Sequence, residues 1–108
     1  MTTTDIFVHD SKLISVSENS DTDQYRFLLL WPKDWENNVF AEAVLIFENV
    51  LNYQVHEGPF SGSPTILSMH EADSVESYGM VRKTMRLETT AGYRTFLYSD
   101  FRLEEIAR

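Results

Sequence analysis

The chain has 108 residues, 43% of them hydrophobic, and a net charge of -8, which predicts one soluble domain over residues 1–108 with enough apolar side chains for a core. It has no cysteine, so disulfide bonds and thiolate metal sites are excluded. No stretch reaches the ~20 apolar residues of a membrane span, and the first residues lack the basic and apolar regions of a secretory signal. Composition therefore predicts a cytoplasmic protein without membrane contact.

Two strands are predicted in the first third of the chain. Residues 12–17 alternate between apolar and polar side chains, as a strand with one buried face does. Residues 24–31 are apolar on both faces, which is typical of a central strand. Pro32 has no N–H group to offer to a hydrogen-bond ladder and is expected to end this strand.

The middle of the chain predicts three more strands, because apolar and polar residues alternate there between turn signals. These strands cover residues 39–47, 50–57 and 65–72. Residues 33–45 could instead contain a short helix, which would give an α+β fold. Residues 58–64 hold two prolines and two glycines and predict a loop, a place where binding residues are common. Residues 73–79 are expected to turn the chain.

Residues 80–102 predict a long antiparallel hairpin around the turn Thr90-Ala91-Gly92, because a three-residue hairpin loop favours glycine at its last position. In the expected register, Thr89 lies opposite Tyr93. That register gives two pairs of opposite charge, Glu88 with Arg94 and Arg82 with Asp100. Each such pair stabilises a sheet by roughly 0.2–1 kcal/mol.

A register shifted by one residue is the alternative for this hairpin. It would place Met85 opposite Phe96 and Leu87 opposite Arg94, which mixes apolar and charged side chains on one face and is therefore disfavoured. On the outer face of the expected register, Arg86 is predicted to stack on Phe96. The inner, apolar face is expected to carry Val81, Met85, Leu87, Leu97 and Phe101.

Together these elements predict an all-β, mainly antiparallel fold, either a sandwich or an open barrel of about seven strands that ends in the hairpin at 80–102. Exposed sheet edges would allow a homodimer to form by strand pairing. A barrel with inward aromatic side chains could hold an apolar ligand, so a small-molecule-binding β-barrel is one alternative function.

Charge is unevenly distributed along the chain. Residues 34–81 contain eight carboxylates and no Lys or Arg, whereas residues 82–108 contain six cations and four carboxylates. Phosphate recognition needs clustered cations, so nucleic acid is not an expected partner. An acidic central region suits a basic protein partner instead. The expected partner-binding residues are Asp34, Trp35, Glu36, Glu57, Phe60, Glu71, Asp73 and Glu76.

The three histidines are the main candidates for chemistry, and each precedes a carboxylate: His9-Asp10, His56-Glu57 and His70-Glu71. Neighbouring residues on a strand point to opposite faces, so no such pair can act together. Convergence of His9, His56 and His70 from three strands would create an open zinc site, which makes a metal-dependent enzyme a second alternative. Nothing in their spacing predicts this convergence, so we expect no catalytic residue, metal or cofactor.

Three short stretches carry a family resemblance: His9-Asp10-Ser11-x-Leu13, residues 45–50 (LIFENV) and residues 95–101 (TFLYSDF). They resemble small bacterial proteins of unknown function, and some similar families are grouped with immunity proteins of polymorphic toxin systems. This resemblance implies a binding role without catalysis. An acidic inhibitor of a basic nuclease would benefit from electrostatic steering, so the sequence predicts a non-catalytic, immunity-like protein that docks a basic partner.

Overall fold

The computed structural model describes residues 10–34, 36–37, 39–77 and 79–106, except for the side chains of residues 33, 34 and 77. These residues form eight strands and no helix. The strands are β1 (Lys12–Asn19), β2 (Gln24–Asp34), β3 (Val39–Glu48), β4 (Leu51–Glu57), β5 (Ile66–Ser77), β6 (Met80–Thr89), β7 (Gly92–Tyr98) and β8 (Asp100–Glu105). Residues 39–45 belong to β3, so the alternative of a helix near 33–45 is wrong there, while Trp35 and Asn38 lie outside the described residues.

The strands form two antiparallel sheets, sheet I in the order β1-β2-β3-β8 and sheet II in the order β4-β7-β6-β5. The chain changes sheet between β3 and β4, and again at Ser99, which alone separates β7 from β8. Asn49 makes the first corner with a positive φ of 53°, and its side-chain amide donates a hydrogen bond to the Ser99 hydroxyl at 2.8 Å. The predicted all-β, antiparallel fold is therefore confirmed; of the two expected architectures, sandwich and open barrel, it has the sandwich, with eight strands instead of about seven.

The core lies between the two sheets and consists largely of aromatic rings. Phe47 of sheet I is fully buried, and its ring centroid lies 4.8 Å from that of Phe96 and 5.3 Å from that of Tyr98 in sheet II. Phe27 reaches the same layer, with its centroid 6.0 Å from Phe96. Rings at these separations pack in direct contact, so the space that an apolar ligand of a barrel would need is occupied by the protein's own side chains.

The register of the C-terminal hairpin is the shifted alternative, and the expected register is wrong. Thr89 pairs with Gly92, Met85 with Phe96 and Leu87 with Arg94. The shift turns Phe96 and Tyr98 inward, where both are buried. Burying a large apolar side chain stabilises a fold by about 3 kcal/mol, whereas a cross-strand charge pair contributes at most about 1 kcal/mol. Contact with the opposite sheet therefore sets this register.

The far end of the hairpin also differs from expectation. Arg82 pairs with Val75 of β5, not with Asp100, because β7 ends at Tyr98 and Asp100 begins a strand of the other sheet. β5 continues through residues 73–77, which were expected to form a turn. Residues 73–77 and 80–82, which we call the β5–β6 arm, lie at the end of this strand pair, and residues 75–77 and 80–82 extend past the last residue of β7. Val81 lies on this arm and is 59% exposed, although it was expected in the core.

Pro32 does not end β2, which continues to Asp34. At this level the described part of the sheet has only β3 beside β2, because β1 begins at Lys12, opposite Leu30. A Pro32 nitrogen on the side of β2 that β1 does not reach therefore removes no hydrogen bond between strands. The pairing with β3 becomes irregular just after Pro32, where the strand ends.

Candidate partner-binding surfaces

Cations from the C-terminal third neutralise part of the acidic central region. The Arg102 guanidinium lies 2.6 Å from a carboxylate oxygen of Glu48. Lys83 lies 3.6 Å from Glu71, and the Tyr98 hydroxyl also donates a hydrogen bond to Glu71. Burial, together with this hydrogen bond, raises the pKa of Tyr98. The stretch without cations is therefore continuous in the sequence but not on the folded surface.

Glu57 forms the most buried of these ion pairs, with Arg94. The Arg94 Nε and Nη2 atoms donate to the two carboxylate oxygens of Glu57 at 3.0 and 2.8 Å, and Nη1 donates to the Tyr53 hydroxyl at 2.9 Å. The two charged side chains are only 16% and 13% exposed. Burial by itself lowers the pKa of Arg94, but the hydrogen bonds to Glu57 and Tyr53 outweigh it and raise the pKa overall. Arg94 is therefore a fixed cation.

Glu57 and Phe60 border an open groove with a volume of about 410 Å³. We call it the edge groove. One wall is residues 13–16 of β1, and the other is the β4–β5 loop, residues 58–65, together with the β6–β7 turn and Arg94. Ile14 and Phe60 expose large apolar surfaces beside it. Because the charges of Glu57 and Arg94 compensate each other, the exposed side chains of Ile14 and Phe60 lie next to an ion pair without net charge.

The β5–β6 arm carries two of the expected carboxylates. Asp73 and Glu76 are exposed, and neither makes a hydrogen bond or an ion pair with another described residue. Val75, between them in the chain, is 42% exposed, and Val81 lies directly opposite Glu76. The arm therefore combines unpaired negative charge with exposed apolar side chains.

The remaining expected residues do not join the arm. Glu36 is exposed after β2, at the end of sheet I where β1 begins, whereas the arm is at the far end of β5 from the Lys12–Thr65 bridge. The backbone of Asp34 pairs with Val39, and its side chain lies outside the described residues, as does Trp35. The described members of the expected set are thus divided: Glu57 and Phe60 lie at the edge groove, Asp73 and Glu76 on the arm, Glu71 in its ion pair with Lys83, and Glu36 in a separate turn.

The two described histidines lie on opposite edges of sheet II, His56 on β4 and His70 on β5. Three strand spacings separate these edges, roughly 14 Å, which is too far for one metal ion. Among the described residues, no group of three or more His, Cys, Asp or Glu side chains could hold a metal ion. His9 lies outside the described residues.

The outer face of sheet II carries a stack of planar side chains that the sequence reasoning assigned differently. The His56 ring stacks on Tyr93 with centroids 4.7 Å apart, and the Arg86 guanidinium lies 3.9 Å from the centroid of the Tyr93 ring. The expected pairing of Arg86 with Phe96 is wrong because the register shift turns Phe96 inward. The hydrogen bond from Arg86 to Glu88 lowers the pKa of Glu88.

The cluster of Tyr53, Glu57 and Arg94 was missed by the sequence reasoning. A signal for it exists, since Tyr53 and Glu57 share one face of β4 and the shifted register turns Arg94 of β7 inward. An inward arginine requires an inward carboxylate, and Glu57 is the carboxylate on the adjacent strand.

Comparison of the chain with models of known families and with curated proteins gives no match. Within the described residues, no helix has the length and apolar character needed to cross a membrane. The fold and its surfaces define a two-sheet antiparallel β protein with an edge groove of mixed polar and apolar lining and an acidic arm.

Proposed function

We propose that this protein is a non-catalytic, cytoplasmic binding protein that docks a basic protein partner through the β5–β6 arm. The observation that carries the proposal is that two exposed carboxylates, Asp73 and Glu76, lie on the same arm as the exposed apolar side chains of Val75 and Val81, with Val81 directly opposite Glu76. The resemblance to immunity proteins supports the same role, in which the basic partner would be a toxin domain.

The arm suits this role in both charge and shape. Unpaired carboxylates steer a basic partner during encounter and set its orientation, and adjacent apolar side chains supply the desolvated contacts that give affinity. Among the described residues, residues 75–77 of β5 pair only with residues 80–82 of β6, and β7 does not extend to this level. A partner can therefore approach the arm from the outer edge of β5.

Affinity capture with matched charge variants tests the proposal. Purified wild-type protein, Glu76→Lys and Glu36→Lys would be immobilised and exposed to extract of the native host, and the retained proteins would be quantified by mass spectrometry. Both substitutions change the net charge equally, at two exposed positions far apart. We expect wild type and Glu36→Lys to retain the same basic proteins, and Glu76→Lys to lose them. Raised salt should weaken retention, since exposed charges are screened.

Two results would contradict the proposal. One is retention of the same proteins by all three variants, which would remove the arm as the docking surface. The other is selective retention of acidic or neutral proteins, which would remove the electrostatic basis.

Self-association through sheet edges is a second, separate proposal, and β5 is the edge least suited to it. Two β5 strands placed side by side would bring Asp73 and Glu76 of both copies together, and like charges across a strand pair are destabilising. Sedimentation equilibrium of the purified protein tests self-association, and a single monomeric species across the concentration range would dismiss it.

A further inference from the structure

The edge groove lies where a ladder of backbone hydrogen bonds stops. Residues 11–13, around the start of β1, pair with residues 64–66, around the end of the β4–β5 loop: the Ile66 N–H donates to the Ser11 carbonyl at 2.8 Å, and the Leu13 N–H donates to the Pro64 carbonyl at 2.8 Å. Beyond Leu13, β1 continues to Asn19 as the outermost strand of sheet I. One edge of residues 14–19 therefore has no neighbouring strand among those described.

The β4–β5 loop, which lies opposite this edge, diverges from β1 and does not pair with it. The β4–β5 loop passes Phe60 and Gly62 before Pro64 reaches β1, and the space between is the groove of about 410 Å³. Ile14 is 45% exposed at its rim, and Leu13 and Val16 line its β1 side. An extended segment laid along β1 would continue the interrupted ladder and place an apolar side chain in the groove.

Charge at the far end of β1 defines the orientation and chemistry of such a segment. Glu18 is the last residue but one of the strand, Asp21 and Asp23 follow in the turn, and all three carboxylates are at exposed positions. The existing ladder is antiparallel, and an added strand that continues it would have its amino-terminal end beside these carboxylates. Cationic residues are therefore favoured at that end.

The other three sheet edges are less suitable for an added strand. β5 has two irregularities in its pairing and the carboxylates of the arm. β4 is irregular between Leu51 and Gln54, where Asn52 has a positive φ of 54°. Bulges and edge charges are features that block strand addition. β8 is short and carries Asp100, Glu104 and Glu105. β1 has its irregularity at Ile14 and is regular from Ser15 to Asn19.

We propose that the edge groove binds an extended strand of the basic partner, which adds antiparallel to residues 14–19 of β1, seats one apolar side chain against Ile14 and Phe60, and places cations beside Glu18, Asp21 and Asp23. The inference rests on the proposed function for the basic character of the partner, but it assigns a second surface and a specific mode of recognition, β-strand addition.

Two synthetic peptides of identical composition test the proposal. The first is capped Arg-Arg-Thr-Val-Thr-Val-Thr-Val, and the second carries the two arginines at the carboxyl end. Backbone NMR titration of the whole protein with each peptide would give the residues affected and the affinity. We expect shifts confined to residues 13–19 and 57–64, slower amide exchange within 14–19, and about fivefold tighter binding of the first peptide, as expected for two exposed charge pairs.

Matched variants link the peptide to the groove. Ile14 and Val39 are each 45% exposed, so Ile14→Lys and Val39→Lys make the same chemical change at the groove and away from it. We expect Ile14→Lys to weaken the first peptide at least tenfold and Val39→Lys to change its affinity less than twofold.

Equal binding of the two peptides, shifts on the β5–β6 arm instead of β1, or no shifts at millimolar peptide would each overturn the inference. Formation of a β1-mediated dimer that excludes the peptide would also overturn it, since a second copy would then be the occupant. The two proposals can fail separately. If Glu76→Lys loses the basic proteins in the capture experiment but no peptide binds at β1, the proposed function stands and only this inference is overturned.

Discussion

Arg94 lies directly opposite Leu87 on the inward face of the β6–β7 hairpin, and its guanidinium is held there by both carboxylate oxygens of Glu57. The arginine is at the margin of the core, next to the edge strand β4. A charge in this position is stable only while its partner is present, because a buried ion without a counter-ion has lost its hydration without compensation.

Replacing Glu57 by Gln is therefore expected to lower the free energy of unfolding by about 3 kcal/mol, the lower end of the range for a broken buried pair. Chemical denaturation measures this change. Glu104→Gln is the control, since Glu104 pairs with Arg102 at an exposed site and should cost less than about 1 kcal/mol. The double variant Glu57→Gln/Arg94→Met should be more stable than Glu57→Gln, and a purely additive result would contradict this account.

Gly92 begins β7 with φ +146°, and a Cβ atom added there would lie 2.2 Å from the backbone oxygen of His56. We expect Gly92→Ala to destabilise the protein by about 2 kcal/mol or more, because the strand pairing of β4 with β7 must shift. Thermal and chemical denaturation measure the loss. Gly58→Ala is the control, since nothing lies within 4 Å of its added Cβ, and equal losses in both variants would count against the close approach.

Phe47 contacts rings from both sheets, and its centroid is also 5.8 Å from that of Phe101. Phe47→Leu should lower the free energy of unfolding by about 1–3 kcal/mol, since it leaves a void that these rings cannot fully close. Phe60→Leu should change stability by less than about 0.5 kcal/mol, because Phe60 is exposed. Similar effects of the two substitutions would show that the aromatic layer is not the main source of stability.

Tyr25 links stability to alkaline pH. Burial, and a 2.8 Å hydrogen bond that its hydroxyl donates to Glu18, raise the pKa of Tyr25 to about 12. Because the folded state favours the protonated phenol, its contribution is fully present below the unfolded pKa of about 10 and is lost as pH rises towards 12. Tyr25→Phe should therefore lose stability less steeply than wild type between pH 10 and pH 12. A constant difference between the two proteins across this window would refute the linkage.

The sequence was sufficient for most of the local structure of the described residues between 12 and 64. Alternation placed β1, β2 and β4 to within three residues at each end. These features depend on neighbouring residues: which side chains share a face, and which residues tolerate a positive φ. The loop at 58–64 was predicted for the same reason.

The hairpin register and the arm depend on contacts between distant residues. Glu88 and Arg94 form a reasonable pair when two strands are considered alone, and the shifted register becomes favourable only when Phe47 of the other sheet packs against Phe96. Residues 73–77 have turn-like composition, and pairing with residues 80–82 makes them a strand. The placement of Asp73 and Glu76 on the arm could therefore not be derived from local sequence.

The direct passage from β7 to β8 through Ser99 has a consequence for folding. β8 completes sheet I against β3, more than fifty positions earlier in the chain, while β7 sits inside sheet II between β4 and β6. Because Ser99 alone joins a strand of each sheet, a displacement of β7 or β8 also displaces the other strand. We therefore expect the two sheets to lose their hydrogen-exchange protection together, in a single all-or-none opening. Pairings so distant along the chain also place this protein among slow folders, in the millisecond-to-second range.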